Sequence, residues 1–198
     1  MKTKKIITLV VLMLSMSATS LATDLYGVAA KVKTLEVTFS YNRQNGPGSN
    51  QYAVWIEDER GTVVKTLFVT AFTTKGRQRQ GEATQRGYTF RPTCVPSWVK
   101  AVKAEERTDE DLDAYTGATP QSGLQTFIWD FTDQTGKKVK NGNYRVRVEA
   151  TLINDRIVNY TGTFNVGGKA TDVPLTRSIA GNDGSHDQMI ADVKATLK

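Results

Sequence analysis

Residues 144–150 read Tyr-Arg-Val-Arg-Val-Glu-Ala, an alternation of apolar and charged side chains. Successive side chains of a β-strand point to opposite faces, so this period of two predicts a strand with one buried and one solvated face. The same alternation occurs at residues 35–41 and 158–166, and shorter apolar rows occupy 52–56, 63–69 and 127–131. The repetition indicates an all-β protein.

Turn signals separate these strands. A short loop ending in Gly61 joins two strand patterns, residues 133–136 fit a type I turn with a left-handed glycine, and Asn141-Gly142 is a strong hairpin signal. About seven or eight short strands joined in this way predict an antiparallel β-sandwich of immunoglobulin-like architecture with long loops. A jelly roll or a barrel is the alternative.

Two segments interrupt the strand pattern. Residues 73–93 are polar and contain one acid, Glu82, among basic residues, which favours a solvated, mobile loop over an anion-binding loop. The basic residues of this basic loop are Lys75, Arg77, Arg79, Arg86 and Arg91. Residues 96–111 follow with a helix start at Pro96 and a short apolar stripe, which predicts one short helix at the edge of the sandwich.

The C-terminal part carries weaker signals. Residues 167–184 have little apolar pattern and are predicted to form a long excursion. In residues 189–198 the apolar positions alternate, although Met189, Val193 and Leu197 also fall four apart as on a helix. We favour a final strand.

The N-terminus resembles a secretory signal. Three lysines precede an apolar run at residues 6–14, and small residues lead to a cleavage site after Ala22. Residues 1–22 are therefore predicted to be removed, which leaves residues 23–198 as a single extracytoplasmic domain. The formal net charge of +6 loses these three lysines and becomes 6 − 3 = +3, too mild to favour nucleic acid as a partner.

Cysteine and histidine are scarce. The chain has one of each, Cys94 and His186, so an intrachain disulfide and a Cys/His zinc site are excluded. A Ser-His-Asp or Cys-His enzyme would depend on His186 alone, in a polar tail, where a solvated loop histidine is the simpler interpretation. No catalytic residue is assigned and an enzyme is disfavoured. Cys94 fits a buried packing residue better than a reactive thiol.

Acidic residues at 109–113 suggest calcium at first. Asp109, Asp111 and Asp113 alternate as in a calcium-binding loop, but the EF-hand template requires glycine where Ala114 stands and an acid where Pro120 stands. A solvated acidic helix end is favoured over an irregular calcium site, and no metal site is assigned.

The next residues carry a sharper motif. Residues 113–119 read Asp-Ala-Tyr-Thr-Gly-Ala-Thr, which resembles the Asp-x-x-Ser/Thr-Gly-Ala-Thr sequence of proteins modified by the bacterial flavin transferase. The resemblance covers Asp113, Thr116, Gly117, Ala118 and Thr119, and it implies that Thr119 bears FMN through a phosphoester. A Thr-Gly turn is the simpler alternative.

The chemistry suits these residue types. A threonine hydroxyl is a weak nucleophile, so the transferase and its metal must activate it, and the substrate needs an exposed hydroxyl among small residues. Trp98, Tyr115 and Trp129 are candidates for stacking on the flavin ring, although core packing is the more usual role of such residues.

A wider resemblance covers residues 34–166. The segments 52–58, 61–67, 113–119, 129–130 and 142–146 are similar to a predicted periplasmic family, domain of unknown function 2271. Its members are linked with extracytoplasmic flavin-based redox systems, beside PepSY-type membrane proteins and the flavin transferase. The resemblance implies an electron carrier with covalent FMN; an immunoglobulin-like module that binds protein or glycan without a cofactor is the alternative. The region 129–148 also resembles the immunoglobulin-like part of the flagellar hook-capping protein, which bears on the fold alone.

Overall fold

The computed structural model describes residues 33–45, 50–76, 84–153, 156–181 and 188–198. These belong to one compact unit, residues 31–198. The predicted signal peptide, Arg77, Arg79, Glu82 and His186 lie outside the described residues. Within the described ranges, no helix has the length and apolar character needed to cross a membrane.

Among the described residues, ten strands form two sheets, and the prediction of a β-sandwich is confirmed at this level. The strands are β1 (Leu35–Tyr41), β2 (Gln51–Asp58), β3 (Val63–Thr70), β4 (Thr116–Gly117), β5 (Gly123–Trp129), β6 (Gly142–Ile153), β7 (Arg156–Val166), β8 (Thr171–Asp172), β9 (Thr176–Ala180) and β10 (Ile190–Leu197). One sheet has the order β5-β1-β10-β8 and the other the order β4-β3-β2-β6-β7-β9. All described pairs are antiparallel except β3 with β4, so the larger sheet is mixed and not purely antiparallel as expected.

The main core lies between the two sheets and is formed by the alternate residues of each strand that point inward. Leu35, Val37 and Phe39 of β1 are fully buried while the residues between them are only partly buried. They pack in one cluster with Tyr52 and Val54 of the opposite sheet. The period of two therefore selects the inner face correctly.

Strand β2 is buried along almost its whole length because both faces of its sheet are covered. Ala53 and Trp55 face away from the sandwich core and pack in a second cluster with Trp98 and Leu112. A strand covered on both sides reads as a continuous apolar run, which is how residues 52–56 appear in the sequence.

The covering layer comes from residues 71–113, and here the sequence prediction was incomplete. Four short helices replace the single expected one: α1 (Ala71–Lys75), α2 (Gly87–Phe90), α3 (Pro96–Val102) and α4 (Asp109–Asp113), with one 3-10 turn at Ala104–Glu106. The expected solvated loop at 73–93 contains α1 and α2 and buries Thr73, Thr74 and Tyr88. Helices of four to seven residues are too short to show a helical period in sequence.

The remaining sequence predictions are partly confirmed and partly wrong. The final strand is confirmed as β10, the turns at Gly61 and Gly136 are confirmed by their positive φ, and the helix start at Pro96 is confirmed as α3. Asn141-Gly142 does not make a two-residue hairpin, because the strands on either side of it, β5 and β6, belong to different sheets. The excursion after Val166 contains β8 and β9, and β9 shows no alternation because all five residues are exposed.

Candidate functional site

The motif at 113–119 spans the junction between the covering layer of short helices and the larger sheet. Helix α4 begins with a capping box in which the Thr108 hydroxyl accepts from the Asp111 amide at 3.2 Å and the Asp111 carboxylate accepts from the Thr108 amide at 3.3 Å. The helix ends at Asp113, and three residues later β4 begins and pairs in parallel with Val69 and Thr70 of β3. The beginning of the motif is therefore fixed by a helix end and its middle by a sheet edge.

Three neighbouring carboxylates have separate partners. Asp111 closes the capping box, Asp109 accepts from Arg86 at 2.7 Å, and Asp113 pairs with Lys75 at 3.1 Å. No group of three His, Cys, Asp or Glu side chains arranged to hold a metal occurs within the described ranges. The geometry is that of an acidic helix end in which Asp109 and Asp113 are paired with basic side chains and Asp111 accepts from a backbone amide.

Asp113 is exposed at the protein surface. Its side chain is 54% exposed and that of Lys75 is 56% exposed. An exposed pair of this kind contributes at most about 1 kcal/mol to stability. Asp113 is therefore available for recognition by another protein at little structural cost.

The Thr116 hydroxyl both donates and accepts a hydrogen bond within the structure. Its Oγ1 donates to the carbonyl of Leu112 at 2.6 Å and lies 2.9 Å from Oγ1 of Thr74 on α1. A hydroxyl has one proton. Because Thr116 uses its proton on Leu112, Thr74 is the donor to Thr116, and its 3.3 Å contact with the Ala71 carbonyl is secondary.

Gly117 is required by close packing. A Cβ at this position would lie 2.2 Å from Cε2 of Phe68, shorter than any real contact. The Phe68 ring stacks on Tyr52 at 5.0 Å between centroids. The motif glycine thus lets β4 lie against an aromatic ring of the sandwich core.

The end of the motif leaves regular structure. Ala118 is exposed, Thr119 is partly exposed, and residues 118–121 have no assigned secondary structure. Over the described part of the chain, the Thr119 hydroxyl has no hydrogen-bond partner, unlike that of Thr116. The two motif threonines are therefore chemically distinct: one is a structural anchor and the other presents a free hydroxyl.

A hollow of about 470 Å³ borders the motif on the helical side. Its lining includes Thr74, Lys75, Arg86, Asp109 and Asp113. Arg86 is fixed there, since it also donates to the carbonyls of Ala104 and Arg107, each at 2.9 Å. Hydrogen bonds to Tyr88 and Asp109 raise the pKa of Arg86. Both described cations of this hollow are thus paired with carboxylates.

Of the three aromatic candidates for a flavin ring, two are removed by their burial. Trp98 and Trp129 are both 0% exposed, so packing is their role. The indole of Trp98 donates to the Thr66 hydroxyl at 3.2 Å and that of Trp129 to the Thr132 carbonyl at 2.7 Å. Tyr115 is partly exposed, meets Trp98 edge to face at 6.0 Å, and lines a groove of about 400 Å³.

Comparison with known proteins adds the family. The model of a family described as a predicted periplasmic protein, domain of unknown function 2271, matches residues 34–176. The chain belongs to this family. The match confirms the family resemblance, and the family description agrees with the expected extracytoplasmic location. No curated protein matches the chain.

Among solved structures, a crystal structure of truncated FlgD from Helicobacter pylori is similar at 15% identity. The alignment covers 83% of each chain with a TM-score of 0.31. At a TM-score this low, the similarity supports no conclusion about this protein.

Cys94 is a buried packing residue of this family member. It is fully buried in the second cluster, and burial raises its pKa to about 11. The thiol is therefore protonated at neutral pH and inert as a nucleophile.

Sequence reasoning missed Thr74, Phe68 and Lys75, which contact three different motif residues. Thr74 and Lys75 lie in a segment predicted to be a loop, and Phe68 is one of several apolar residues in a strand. No local signal marks any of them, because each meets its motif residue only in the tertiary structure, where α1 lies beside α4 and β4, and β3 pairs with β4.

Proposed function

We propose that this protein is an extracytoplasmic electron carrier that bears FMN on Thr119, attached by a flavin transferase. The observation that carries the proposal is the contrast between the motif threonines. Thr116 uses its hydroxyl in two internal hydrogen bonds, whereas the hydroxyl of Thr119, a partly exposed residue between Ala118 and Pro120, has no partner among the described residues. This is the condition that an acceptor of covalent modification requires.

The attachment is a phosphoryl transfer. The Thr119 oxygen forms a bond to the flavin-side phosphorus of FAD, the pyrophosphate P–O bond of FAD breaks, and AMP leaves. The threonine proton passes to a base of the transferase or to solvent. Activation of the hydroxyl falls to the transferase and its metal, because this chain places no base against it within the described ranges.

The residues present fit the attachment of the group. Thr119 would hold it, Ala118 leaves room beside it, and Asp113 is exposed for recognition by the transferase. When bound, FMN would supply one- and two-electron redox chemistry.

The proposal also includes the secretion signal, the electron donor and the fold class. Residues 1–22 act as the secretion signal, the mature chain is residues 23–198, and the electron donor is a membrane protein such as a PepSY-type protein. The sandwich is placed in the immunoglobulin-like class, which its two facing, mainly antiparallel sheets support.

A second candidate is a cofactor-free binding module. Strand β5 lies at the edge of the smaller sheet, and its Leu124 and Ile128 are 72% and 60% exposed. An edge strand with exposed aliphatic residues suits the addition of a strand from a protein partner.

One experiment tests the carrier against the module. The chain is co-expressed with a flavin transferase, and its intact mass and visible spectrum are recorded. A carrier gains the mass of FMN less water and a flavin spectrum, and Thr119→Ala abolishes both. A colourless, unmodified wild type beside a transferase that modifies a control substrate supports the module and refutes the carrier.

A further inference from the structure

We infer that Thr74 is a positioning residue for the attachment site: its hydroxyl anchors Thr116 and thereby holds the segment that presents Thr119. The anchor itself is argued from the geometry of α1 and β4. Its effect on flavin attachment rests on the proposed function.

The anchor is a single chain of hydrogen bonds. Thr74 donates to Thr116 at 2.9 Å, and Thr116 donates to the Leu112 carbonyl in the last turn of α4 at 2.6 Å. Thr74 is itself 2% exposed, so its hydroxyl has little access to water as another partner. The chain ties three elements, α1, β4 and α4, at the middle of the motif.

Strand β4 depends on this anchor because its own pairing is short. It has two residues, and its described pairing is limited to Val69 and Thr70. One further backbone bond, from the Val69 amide to the Tyr115 carbonyl at 3.0 Å, closes its beginning. Two paired residues do not hold a segment by themselves, so a buried side-chain bond is a large share of what orders it.

Order in this segment sets the fraction of molecules that present Thr119 in the conformation the transferase captures. An apparent binding constant is weakened by the fraction of competent molecules. Loss of the anchor therefore raises the KM for this chain as substrate and leaves kcat unchanged, since the transferase at saturation binds the ordered form.

The chain offers a closely matched control on the same helix. Thr73 is also buried, and its hydroxyl donates to Gln51 at 3.3 Å and lies 3.3 Å from the Thr70 hydroxyl on β3, but it has no side-chain bond to the motif itself. Thr73→Val and Thr74→Val remove the same group from neighbouring buried positions. Thr74→Ser keeps the hydroxyl and serves as the rescue.

The first measurement needs no transferase. Hydrogen exchange at the Val69 amide reports opening of β4 away from β3. Thr74→Val is expected to speed this exchange about three- to tenfold, the effect of one net hydrogen bond, while Thr73→Val and Thr74→Ser leave it near the wild-type rate. Equal exchange in the two valine variants overturns the inference.

The second measurement follows FMN incorporation by mass spectrometry over a range of substrate concentrations. Thr74→Val is expected to raise KM, by at most the three- to tenfold change in the opening equilibrium, with kcat unchanged, and Thr74→Ser to restore it. A wild type that stays unmodified refutes the proposed function and the positioning role together. A modified wild type with equal KM in both valine variants refutes the positioning role alone.

Discussion

Gly117→Ala tests whether the motif glycine serves packing inside the protein. The added Cβ would lie 2.2 Å from Cε2 of Phe68, and ordinary contact begins at 3.4 Å, so the ring or β4 must move by about 3.4 − 2.2 = 1.2 Å. The ring cannot move freely, because it stacks on the fully buried Tyr52 and meets Phe127 at 5.4 Å.

Overpacking of this kind costs about 1–3 kcal/mol. For a chain of this size, each kcal/mol lowers the Tm by about 2–4 °C, so the expected decrease is about 2–12 °C. Equilibrium urea unfolding followed by tryptophan fluorescence measures the cost, since Trp55, Trp98 and Trp129 are all buried. Ala118→Ser, at the exposed neighbouring position, is the control and should have wild-type stability.

A double-mutant cycle isolates the contact. Phe68→Leu removes the ring atoms that meet the new methyl group, so Phe68→Leu/Gly117→Ala should lose less stability than the sum of the single variants. Wild-type stability in Gly117→Ala, or strict additivity in the double variant, would refute the packing role.

Four further outcomes are expected. The Cys94 thiol, with its pKa raised to about 11 from 9.0, has about 100-fold less thiolate at neutral pH than an unfolded chain, so a thiol reagent should label it at least that much more slowly in native protein than in urea; comparable labelling rates would contradict its burial. Glu149 accepts from the amides of Ser97 and Trp98 at 3.1 and 2.9 Å, so Glu149→Ala should lower the free energy of unfolding by about 2–5 kcal/mol. Burial raises the pKa of Glu149, hence wild-type stability should fall as pH rises above 4.5, and a Glu149→Gln variant with an equally steep decline would exclude this carboxyl as the cause. Lys75→Ala removes only an exposed ion pair and should change stability by less than about 1 kcal/mol; a larger loss in urea unfolding would show that Lys75 is structural.

The sandwich was largely predictable because its signal is local. In strands such as β1, buried and partly buried residues alternate with a period of two. The positive φ at two turns is predictable because glycine occupies both positions, Gly61 and Gly136. The helical layer was not predictable, since its four helices are too short for periodicity and form because the outer face of β2, with Ala53 and Trp55, needs cover.

The motif was visible in sequence, and its resemblance predicts attachment at Thr119, but the structural role of Thr116 was not visible. Only tertiary structure shows that Thr116 faces Thr74 on a distant helix while Thr119 does not. The use of Gly117 likewise depends on Phe68, forty-nine residues earlier (117 − 68 = 49), which no local pattern connects to it.

We propose that Thr119, and not Thr116, carries the flavin. Intact-mass measurement of wild type, Thr119→Ala and Thr116→Ser after co-expression with a flavin transferase tests it most directly. We predict the mass of FMN less water in wild type and Thr116→Ser, and none in Thr119→Ala. An increment that persists in Thr119→Ala, or is missing from wild type while the transferase modifies a control substrate, would contradict the claim.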